Sequence, residues 1–398
     1  MSDRYVVIGG AGAMGQITVK DLVETCPPAD QVVIADYNLD KASQLAASLG
    51  GNRVQPLLID INNVTATAAA LEGALVVINT APYAFNLAVM EAALLAQAHY
   101  IDLGGLFHTT RQQLALHDRF QAINRTALLG MGAAPGISNV LARYAADQLE
   151  QVQEIHLRVA GVDRTRYDVE PALSVSYSLK TILEEFSFPP AVFTQGEFQF
   201  IDQMSGAKPL KFPPPVGVRS PMYTLHSEVA TLPLSFADQG VQEVSFKIAF
   251  DPDFTAKVKF LRDLGFASSQ PIPVAGGQVA PIEVANYLAM HQPTPQAVGK
   301  LKQYEVIRAI VKGKKSGKKI TWIVDCHTPG MPEWGIGLDI DTGAPPAIAA
   351  QMLARGEITQ TGTLPPEVAV PPEPFFQQLA RRQMTIKSRQ KKGWQVET

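Results

Sequence analysis

The sequence predicts an α/β fold: a doubly wound parallel sheet of the Rossmann type, followed by a second α+β domain with a mainly antiparallel sheet. Two observations predict the first domain. Short apolar runs alternate with helical patterns over residues 1–135, and the first of these runs leads into a glycine-rich turn. A third observation predicts the second domain, because strand-like runs follow one another without regular helices from Gln153 onwards.

The glycine-rich turn follows the first predicted strand, Tyr5–Ile8. Gly10, Gly12 and Gly15 have the G-x-G-x-x-G spacing of a dinucleotide-binding turn. The first glycine permits a tight turn, the second lets the backbone approach a pyrophosphate, and the third packs helix against strand. A helix beginning near Ala13 would present free backbone N–H groups, including that of Met14, to the pyrophosphate. The alternative is a merely structural turn.

An acidic residue at the end of the second strand supports the dinucleotide interpretation. Asp36 lies 21 residues after Gly15, close to the roughly 20 residues expected before a ribose-binding acid. A carboxylate there accepts a hydrogen bond from a ribose 2′-hydroxyl and repels a 2′-phosphate. Neither Tyr37 nor Asn38 offers a positive charge for that phosphate. The sequence therefore predicts NAD as the cofactor in preference to NADP.

The remaining first-domain strands are predicted at residues 54–59, 75–79, 99–103 and 126–131, with helices at 39–49, from 83 through 96, and at 109–123. Ligands of such sheets bind outside the carboxyl ends of the strands. Asp60 follows the third strand and is a candidate adenine contact or, alternatively, a turn-forming acid. Thr80, Ala81 and Pro82 follow the fourth strand and are expected beside the nicotinamide half of the cofactor.

A second glycine- and proline-rich turn, GAAPGISN, occupies residues 132–139 and leads into a helix near Ile137. The N–H groups around Gly136 would suit a carboxylate or phosphate oxygen. An ordinary loop at the start of a helix explains the same residues. The sequence leaves both alternatives open.

The second domain is predicted from strands at 156–160, 174–177, 198–201 and 244–249, a helix at 281–290, and a hairpin of residues 305–312 and 319–324. A late apolar helix at 345–355 is expected to pack back onto the first domain. We therefore predict a dinucleotide-binding domain at 1–135, a substrate and dimerisation domain at 136–340, and a C-terminal segment at 341–398.

The composition is that of an ordinary globular protein. Hydrophobic residues make up 46% of the 398 residues, charged residues 18%, and the net charge is −3. This charge gives no reason to expect nucleic-acid or membrane partners. Cys26 and Cys326 exclude a disulfide framework, and the histidines show no metal-ligand spacing, so no metal is predicted. No signal-peptide pattern is seen at the start, and a cytoplasmic location is expected.

Hydride chemistry at a carbon leaves a proton to be moved. Ionisable residues that could reach the carboxyl edge of the sheet are Tyr83 and Asp102 in the first domain, and Lys180, His226 and Glu228 in the second. The alternative for each is an ordinary surface or packing role.

Several stretches together resemble the saccharopine dehydrogenase-like oxidoreductases, and within them the lysine 6-dehydrogenases most. They are VVIGGAGAMGQ at the start, VVINTAPYAFN at 76–86, YIDLGG at 100–105, GAAPGISNVLA at 132–142, and the run from ARGEITQ at 354 to EPFF at 376. The resemblance covers nearly the whole chain and is weakest in the middle of the second domain. It implies amine/imine redox chemistry with a nicotinamide cofactor, and a homodimer or higher homo-oligomer.

The resemblance carries the glycine turn, Asp36 and the Thr80–Pro82 loop over to this chain, but it transfers no catalytic residue. Three functions are open at this stage. The first is oxidation of an amine C–N group in a lysine- or saccharopine-like amino acid. The second is the same chemistry on polyamines, as in carboxynorspermidine-type enzymes, and the third is a non-catalytic NAD-binding sensor.

Overall fold

The computed structural model describes residues 2–170, 172–173, 175, 178–293 and 295–394. The first sheet begins with β1 (Arg4–Ile8), β2 (Gln31–Asp36), β3 (Val54–Leu58), β4 (Val76–Asn79), β5 (His99–Asp102) and β6 (Thr126–Leu128). These strands are parallel, and their order in space is β6-β5-β4-β1-β2-β3. The reversal of strand order at β1 and β4 is the crevice in which doubly wound sheets bind ligands.

Helices cover this sheet on both faces: α1 (Ala13–Thr25), α2 (Leu39–Leu49), α3 (Val64–Ala70), α4 (Asn86–Leu95), α5 (Leu106–Leu114), α6 (His117–Ala122) and α7 (Ile137–Ala146). Local sequence explains several boundaries. Asn38 caps α2 by accepting a hydrogen bond from the Lys41 amide at 3.0 Å, and Gly50 ends the helix with a φ of 71°. The sequence did not predict α3, which Asn63 caps in the same way.

The predicted helix at 109–123 is wrong in its extent. The structure has two helices there, α5 and α6, and the first begins at Leu106. The chain turns between them, and the His117 Nδ1–H at the start of α6 donates a hydrogen bond to the Thr363 carbonyl oxygen, 3.1 Å away. This tertiary contact, made with a residue far along the chain, overrides the helical periodicity that predicts one continuous element.

The second domain begins with the long strand β7 (Gln151–Asp163). It continues with α8 (Leu179–Ser187), β8 (Ala191–Thr194), β9 (Glu197–Phe200), β10 (Leu210–Lys211), β11 (Val218–Arg219), β12 (Met222–Tyr223), α9 (Glu228–Ser235), β13 (Glu243–Ala249), α10 (Pro252–Asp263), β14 (Ile272–Val274), β15 (Gly277–Val279), α11 (Pro281–Met290), β16 (Gln303–Lys315) and β17 (Lys318–Thr328). The predicted strand at 174–177 falls largely outside the described residues.

The second sheet has the order β17-β16-β7-β13-β8-β9, with β12 beside β13. Its pairings are antiparallel except for the parallel pair β7–β13. This confirms the predicted α/β fold with a second, mainly antiparallel sheet. Helix α7 packs against β16 and β17, and one hydrophobic cluster joins first-sheet residues such as Val7 to second-sheet residues such as Leu157.

The last part of the chain contributes to both sheets. It contains α12 (Ile340–Ala354), β18 (Gly362–Leu364), α13 (Pro366–Ala369), α14 (Pro372–Ala380) and β19 (Thr385–Lys392). Strand β18 pairs with β6 in parallel, α12 packs against α1, and β19 pairs with β17 in the second sheet. A buried ion pair between Arg382 and Asp21, with Nε–Oδ2 at 2.7 Å, fastens this segment to α1. The predicted domain boundaries stay a prediction.

None of the helices within the described residues is long and apolar enough to span a membrane.

Candidate functional site

The glycine turn after β1 is held by backbone hydrogen bonds and close packing. The Gly9 amide donates to the Ala35 carbonyl at 2.8 Å, and the Gly12 amide donates to the Gly9 carbonyl at 2.9 Å. A Cβ on Gly10 would lie 2.8 Å from the Val7 carbonyl oxygen, and one on Gly15 would lie 2.7 Å from the Gly10 Cα. Real Cβ atoms do not approach backbone so closely, so both positions require glycine for the turn to form.

Gly12 differs from Gly10 and Gly15 because the space that a Cβ would occupy there is nearly open. A Cβ there would approach only the Gly9 carbonyl oxygen, at 3.1 Å. Gly12 is also the N-cap of α1, and no side chain caps that helix. The N–H groups of Ala13 and Met14 therefore stand at an open helix N-terminus, where an anion is stabilised. These residues fit the pyrophosphate of a dinucleotide.

Asp36 lies at the end of β2 and is tied to the glycine turn. Its Oδ2 accepts a hydrogen bond from the Ala11 amide at 3.1 Å, and its Oδ1 accepts one from the Asn38 amide at 3.0 Å. Each carboxylate oxygen keeps a further lone pair, which suits a ribose hydroxyl. Beside it, the side chains of Tyr37 and Leu58 are 79% and 59% exposed and offer apolar surface at the ends of β2 and β3. No sequence pattern pointed to Leu58.

Asp60 makes the contacts of a turn-forming acid. Its Oδ1 accepts hydrogen bonds from the backbone amide and the side-chain amide of Asn62, both at 3.0 Å. This Asx turn leads into α3. The role of a turn-forming acid therefore accounts for the contacts that Asp60 makes. Because Asp60 is exposed, a contact with the adenine ring stays a prediction.

The loop after β4 is fastened to the glycine turn. The Thr80 hydroxyl donates to the Ile8 carbonyl at 2.8 Å, and the Ala81 amide donates to the Asn79 side chain at 3.2 Å. Pro82 then precedes a short 3-10 turn, Tyr83–Phe85. The structure thus brings Thr80, Ala81 and Pro82 next to the turn at the crevice of the first sheet, as expected for a loop beside the cofactor.

Asp102 is fully buried, and both oxygens of its carboxylate accept hydrogen bonds. It accepts hydrogen bonds from the Tyr100 hydroxyl at 2.9 Å, the Gln113 amide at 2.6 Å, and the backbone amides of Gly104 and Gly130 at 2.9 and 2.7 Å. Burial raises the pKa of Asp102, and these hydrogen bonds oppose the rise. These contacts join the loops after β5 and β6 and favour a packing role for Asp102, while its part in proton transfer stays a prediction.

His226 and Glu228 form a directly bonded pair. The His226 Nδ1 and the Glu228 Oε2 are 2.6 Å apart, and the other Glu228 oxygen accepts from the Ser138 hydroxyl at 2.8 Å. Glu228 is 0% exposed. The His226 ring is stacked on Phe246 with ring centroids 3.7 Å apart. Burial lowers the pKa of His226, but the charge and hydrogen bond of Glu228 outweigh it, so the pKa lies above its usual value.

This pair lies at the carboxyl edge of the first sheet. Ser138 belongs to the turn and helix start that follow β6. A Cβ on Gly104, in the loop after β5, would lie 3.3 Å from the Ser227 hydroxyl. Ser138 was not predicted as a site residue, although the motif GAAPGISN contains it.

Tyr83 and Lys180, the other two candidate catalytic residues, make different contacts. The Tyr83 hydroxyl donates to Glu184 of α8 at 2.8 Å, which bridges the two domains, and burial together with Glu184 raises the pKa of Tyr83. Lys180 donates to Glu283 of α11 at 2.6 Å, so it joins two helices of the second domain. Glu185, beside Glu184, is close enough to influence the pKa values of both Tyr83 and His226.

The turn at 132–139 is capped from within. The Asn139 side chain accepts from the Gly136 amide at 3.0 Å and donates to Glu367 at 2.8 Å. The Gly136 amide is therefore used by the helix itself, as in the ordinary loop alternative. The remaining role of this turn is to hold Ser138 against Glu228.

Among the described residues, one group has the ligand types and closeness for a metal ion: Glu154, His156 and Glu243. Lys312 donates to Glu154 Oε2 at 2.7 Å, so an ammonium group already occupies the position next to this carboxylate. His156 also contacts Glu154 and Ser245 at 2.9 and 2.8 Å. These contacts account for the group as a polar network on the sheet surface.

A Rossmann sheet with an open glycine turn, joined to a second domain that supplies a carboxylate–histidine pair at the same edge, defines a dinucleotide-dependent oxidoreductase. Comparisons with known proteins give the family. Residues 5–128 match the saccharopine dehydrogenase NADP binding domain, and residues 132–384 match the saccharopine dehydrogenase C-terminal domain. The chain belongs to the saccharopine dehydrogenase family of NAD(P)-dependent oxidoreductases.

Individual relatives are similar over nearly their whole length. The chain is 25% identical to carboxyaminopropylagmatine dehydrogenase of Synechocystis, with 94% of each chain covered. It is 23% identical to carboxynorspermidine synthase of Vibrio cholerae, with 92% of each covered. Apo saccharopine dehydrogenase (L-Glu forming) of Saccharomyces cerevisiae has a similar fold, with a TM-score of 0.72, 16% identity, and 98% and 100% of the two chains covered. The narrower resemblance to lysine 6-dehydrogenases stays a prediction.

Proposed function

We propose that the protein is an NAD(P)-dependent dehydrogenase that interconverts an amine and an imine, with His226 exchanging the proton on the reacting nitrogen. The observation that carries this proposal is the His226–Glu228 pair at the carboxyl edge of the first sheet. The nicotinamide, when bound, supplies or accepts the hydride. Gly12, Ala13, Met14 and Asp36 would hold the cofactor.

His226 is suited to proton exchange because Glu228 fixes its tautomer. With Nδ1–H donated to the carboxylate, the proton that the ring gains or loses is the one on Nε2. In the oxidative direction the amine nitrogen must lose a proton before its lone pair can form the C=N bond, and Nε2 accepts it. In the reductive direction the same atom returns a proton to the nitrogen.

The substrate that we favour is an amine that also carries a carboxyl group. The names of the two bacterial relatives describe carboxylated polyamines, and this supports the polyamine alternative. The sequence resemblance to lysine 6-dehydrogenases instead favours a lysine- or saccharopine-like amino acid. Both substrates undergo the same C–N redox step, so the mechanism proposed for His226 serves either.

The cofactor preference that we propose is NAD. Asp36, held by two backbone amides at the end of β2, would repel the 2′-phosphate of NADP. The description of the matching domain names NADP, which favours the opposite choice. The ratio of kcat/KM values for NADH and NADPH decides between them, and a strong preference for NADPH would overturn our assignment.

The cytoplasmic location and the homodimeric or higher state predicted from the sequence remain proposals. Size-exclusion chromatography with light scattering of the full chain tests the second, and a monomer at micromolar concentration would contradict it.

The activity is tested by measuring the production or consumption of NADH and NADPH on lysine, saccharopine and carboxylated polyamines. His226→Gln should lower kcat by about 10²-fold or more, because proton transfer by a positioned side chain contributes about 10²–10⁴-fold. His156→Gln is the matched control, since His156 also pairs with a glutamate but lies on the opposite face of the second sheet. Tight cofactor binding without turnover of any substrate would favour the sensor alternative.

A further inference from the structure

A small cavity lies where the C-terminal segment packs onto the first domain. Its volume is about 100 Å³. The ends of α1, α12 and α14 surround it, together with the 3-10 turn Pro332–Trp334. Its lining includes Thr25, Trp334, Arg355, Gln378, Arg381 and Arg382, and none of the described residues that line it is acidic. We call this cavity the arginine pocket.

The arginine pocket is separate from the proposed cofactor and amine sites. Thr25 is the last residue of α1, whereas the N–H groups proposed to hold the cofactor belong to the first residues of that helix. The 13 residues of α1 span about 20 Å. His226 lies at the same edge of the first sheet as the start of α1. A ligand in the arginine pocket would therefore be neither the nicotinamide cofactor nor the reacting amine.

Two of the three guanidinium groups are held by carboxylates outside the lining. Arg382 donates from Nε to Asp21 Oδ2 at 2.7 Å and from Nη2 to Asp21 Oδ1 at 2.5 Å. Arg355 donates from Nε to Glu357 Oε1 at 2.6 Å and from Nη2 to Glu357 Oε2 at 3.3 Å. Bidentate pairs of this kind fix the orientation of a guanidinium. The Nη1 group of Arg355 makes no hydrogen bond within the described residues.

Arg381 carries the third guanidinium, which has no acceptor. Its side chain forms neither an ion pair nor a hydrogen bond with any residue that the structure describes. Basic side chains near a helix C-terminus often donate to the last carbonyls of that helix. Arg355 follows the last residue of α12, and Arg381 follows the last residue of α14. Neither side chain donates to a described carbonyl, so helix capping does not account for these two arginines.

Two neutral donors of the arginine pocket also lack acceptors. The indole Nε1–H of Trp334 and the side-chain NH₂ of Gln378 make no hydrogen bond in the described part of the chain. The Gln378 oxygen already accepts from Arg382 Nη1 at 3.1 Å. Lys20 adds positive charge nearby, because its Nζ lies 3.2 Å from the Trp334 carbonyl oxygen. The pocket therefore offers more N–H donors than acceptors, and these donors come from three elements of the fold.

This excess of donors and positive charge suits a phosphate group. Guanidinium groups bind phosphate oxygens through charge-assisted hydrogen bonds. A phosphate presents three or four oxygens to donors that approach from several directions, whereas a carboxylate presents two. The cavity has room for several water-sized groups, and hence for a phosphorus atom with its oxygens. Glu333, the acid next to Trp334, does not line the cavity and accepts hydrogen bonds from the Gln383 side chain.

We propose that the arginine pocket binds a phosphate group, either as inorganic phosphate or as the monoester of a small metabolite. Arg381 is the main ligand, and Trp334 and Gln378 donate to the remaining oxygens. Asp21 and Glu357 hold the other two guanidinium groups in position. Each hydrogen bond to a charged group contributes enough to change the affinity by about tenfold or more. The test of this site does not depend on the proposed function.

Calorimetry on the full-length protein tests the proposal. Inorganic phosphate is titrated into the wild type, into Arg381→Gln, and into Trp334→Phe, which keeps an aromatic ring but removes the N–H group. We expect the Kd for phosphate to rise at least tenfold in both variants. Arg219→Gln is the matched control, because this arginine lies in the second domain and donates to the Val218 carbonyl. An unchanged Kd in either folded pocket variant would overturn the assignment.

A second series separates the arginine pocket from the glycine turn, which also suits phosphate groups. Gly12→Ala should leave the Kd of the arginine pocket for phosphate unchanged, and NAD should not compete with phosphate there. Glycerol phosphate is the probe for a monoester: it should displace inorganic phosphate, and the tighter of the two identifies the source. Phosphate binding that is lost in Gly12→Ala but kept in Arg381→Gln would overturn the proposal, as would acetate binding as tightly as phosphate.

Discussion

The contact between Glu228 and His226 gives the sharpest prediction. Glu228→Gln keeps the size of the side chain and its hydrogen bond with Ser138, but it removes the buried negative charge next to the imidazole. The charge stabilises His226 most when the ring is protonated, that is, when it holds the proton taken from the substrate. The variant should therefore lower kcat by destabilising that state.

The magnitude follows from the geometry. Two unit charges about 4 Å apart, at an effective dielectric constant of about 20, attract each other by about 4 kcal/mol. A loss of that size would correspond to about a 10³-fold lower rate. Because the glutamine amide can replace part of the interaction by hydrogen bonding, we expect kcat to fall by about 10²–10³-fold.

The assay is the pH dependence of kcat/KM in the direction of amine oxidation. The pKa of His226 is held above its usual value by Glu228, so the acidic limb of the profile should move to lower pH in Glu228→Gln. Glu154→Gln is the matched control, because Glu154 pairs with His156 at 2.9 Å on the other face of the sheet. A variant with kcat within threefold of the wild type and an unmoved acidic limb would refute the role of this pair.

Three other predictions concern the glycine turn, the C-terminal segment and the buried carboxyl group of Glu305. Gly12→Ala should leave the Tm nearly unchanged but raise the Kd for NAD at least tenfold. Gly15→Ala should lower the Tm, because its Cβ would collide with backbone atoms. Equal losses of Tm in the two variants would contradict this prediction. Arg382→Gln should cost about 3–5 kcal/mol in urea unfolding, because it leaves a buried carboxylate unpaired, and a loss below about 1 kcal/mol would contradict it. Burial raises the pKa of Glu305 from 4.5 to about 7, and the charge of Asp339 adds to the rise. The shift contributes stability below pH 4.5 that is lost as pH rises to 7, so Asp339→Asn should lessen this loss in thermal melts across that range.

The sequence predicts the arrangement of the glycine turn and Asp36 well because this arrangement is encoded locally. The glycines, the start of α1 and Asp36 are placed by one strand–turn–helix–strand unit, so their spacing along the chain fixes their arrangement in space. The same local unit places Asp36, at the end of its second strand, in contact with the glycine turn. The alternation of strands and helices likewise predicts the parallel sheet, since each crossover is short.

The surroundings of the candidate catalytic residues could not be predicted in the same way, because they depend on contacts between residues that are distant in the sequence. Asp102 is at the expected carboxyl edge of the first sheet, but its carboxylate accepts hydrogen bonds from Gln113 and Gly130. No local sequence pattern predicts these contacts. The partner of Glu228 outside its own segment is Ser138, 90 residues away. Glu305 and Asp341 meet only because β16 begins beside the start of α12. Periodicity carries no information on such pairings.

Strand β18 has a consequence for how the protein is made. On the ribosome, β1 to β6 emerge first, and the outer edge of β6 then waits for residues 362–364, which are synthesised 234 residues after Leu128. At about 5–20 residues per second this delay lasts roughly 10–50 s. Until then the Leu129 amide and the Arg125 carbonyl, which later bond to β18, remain open to other strands. An unpaired edge of this kind is a template for aggregation, so the nascent chain should need a chaperone at this stage more than the finished protein does.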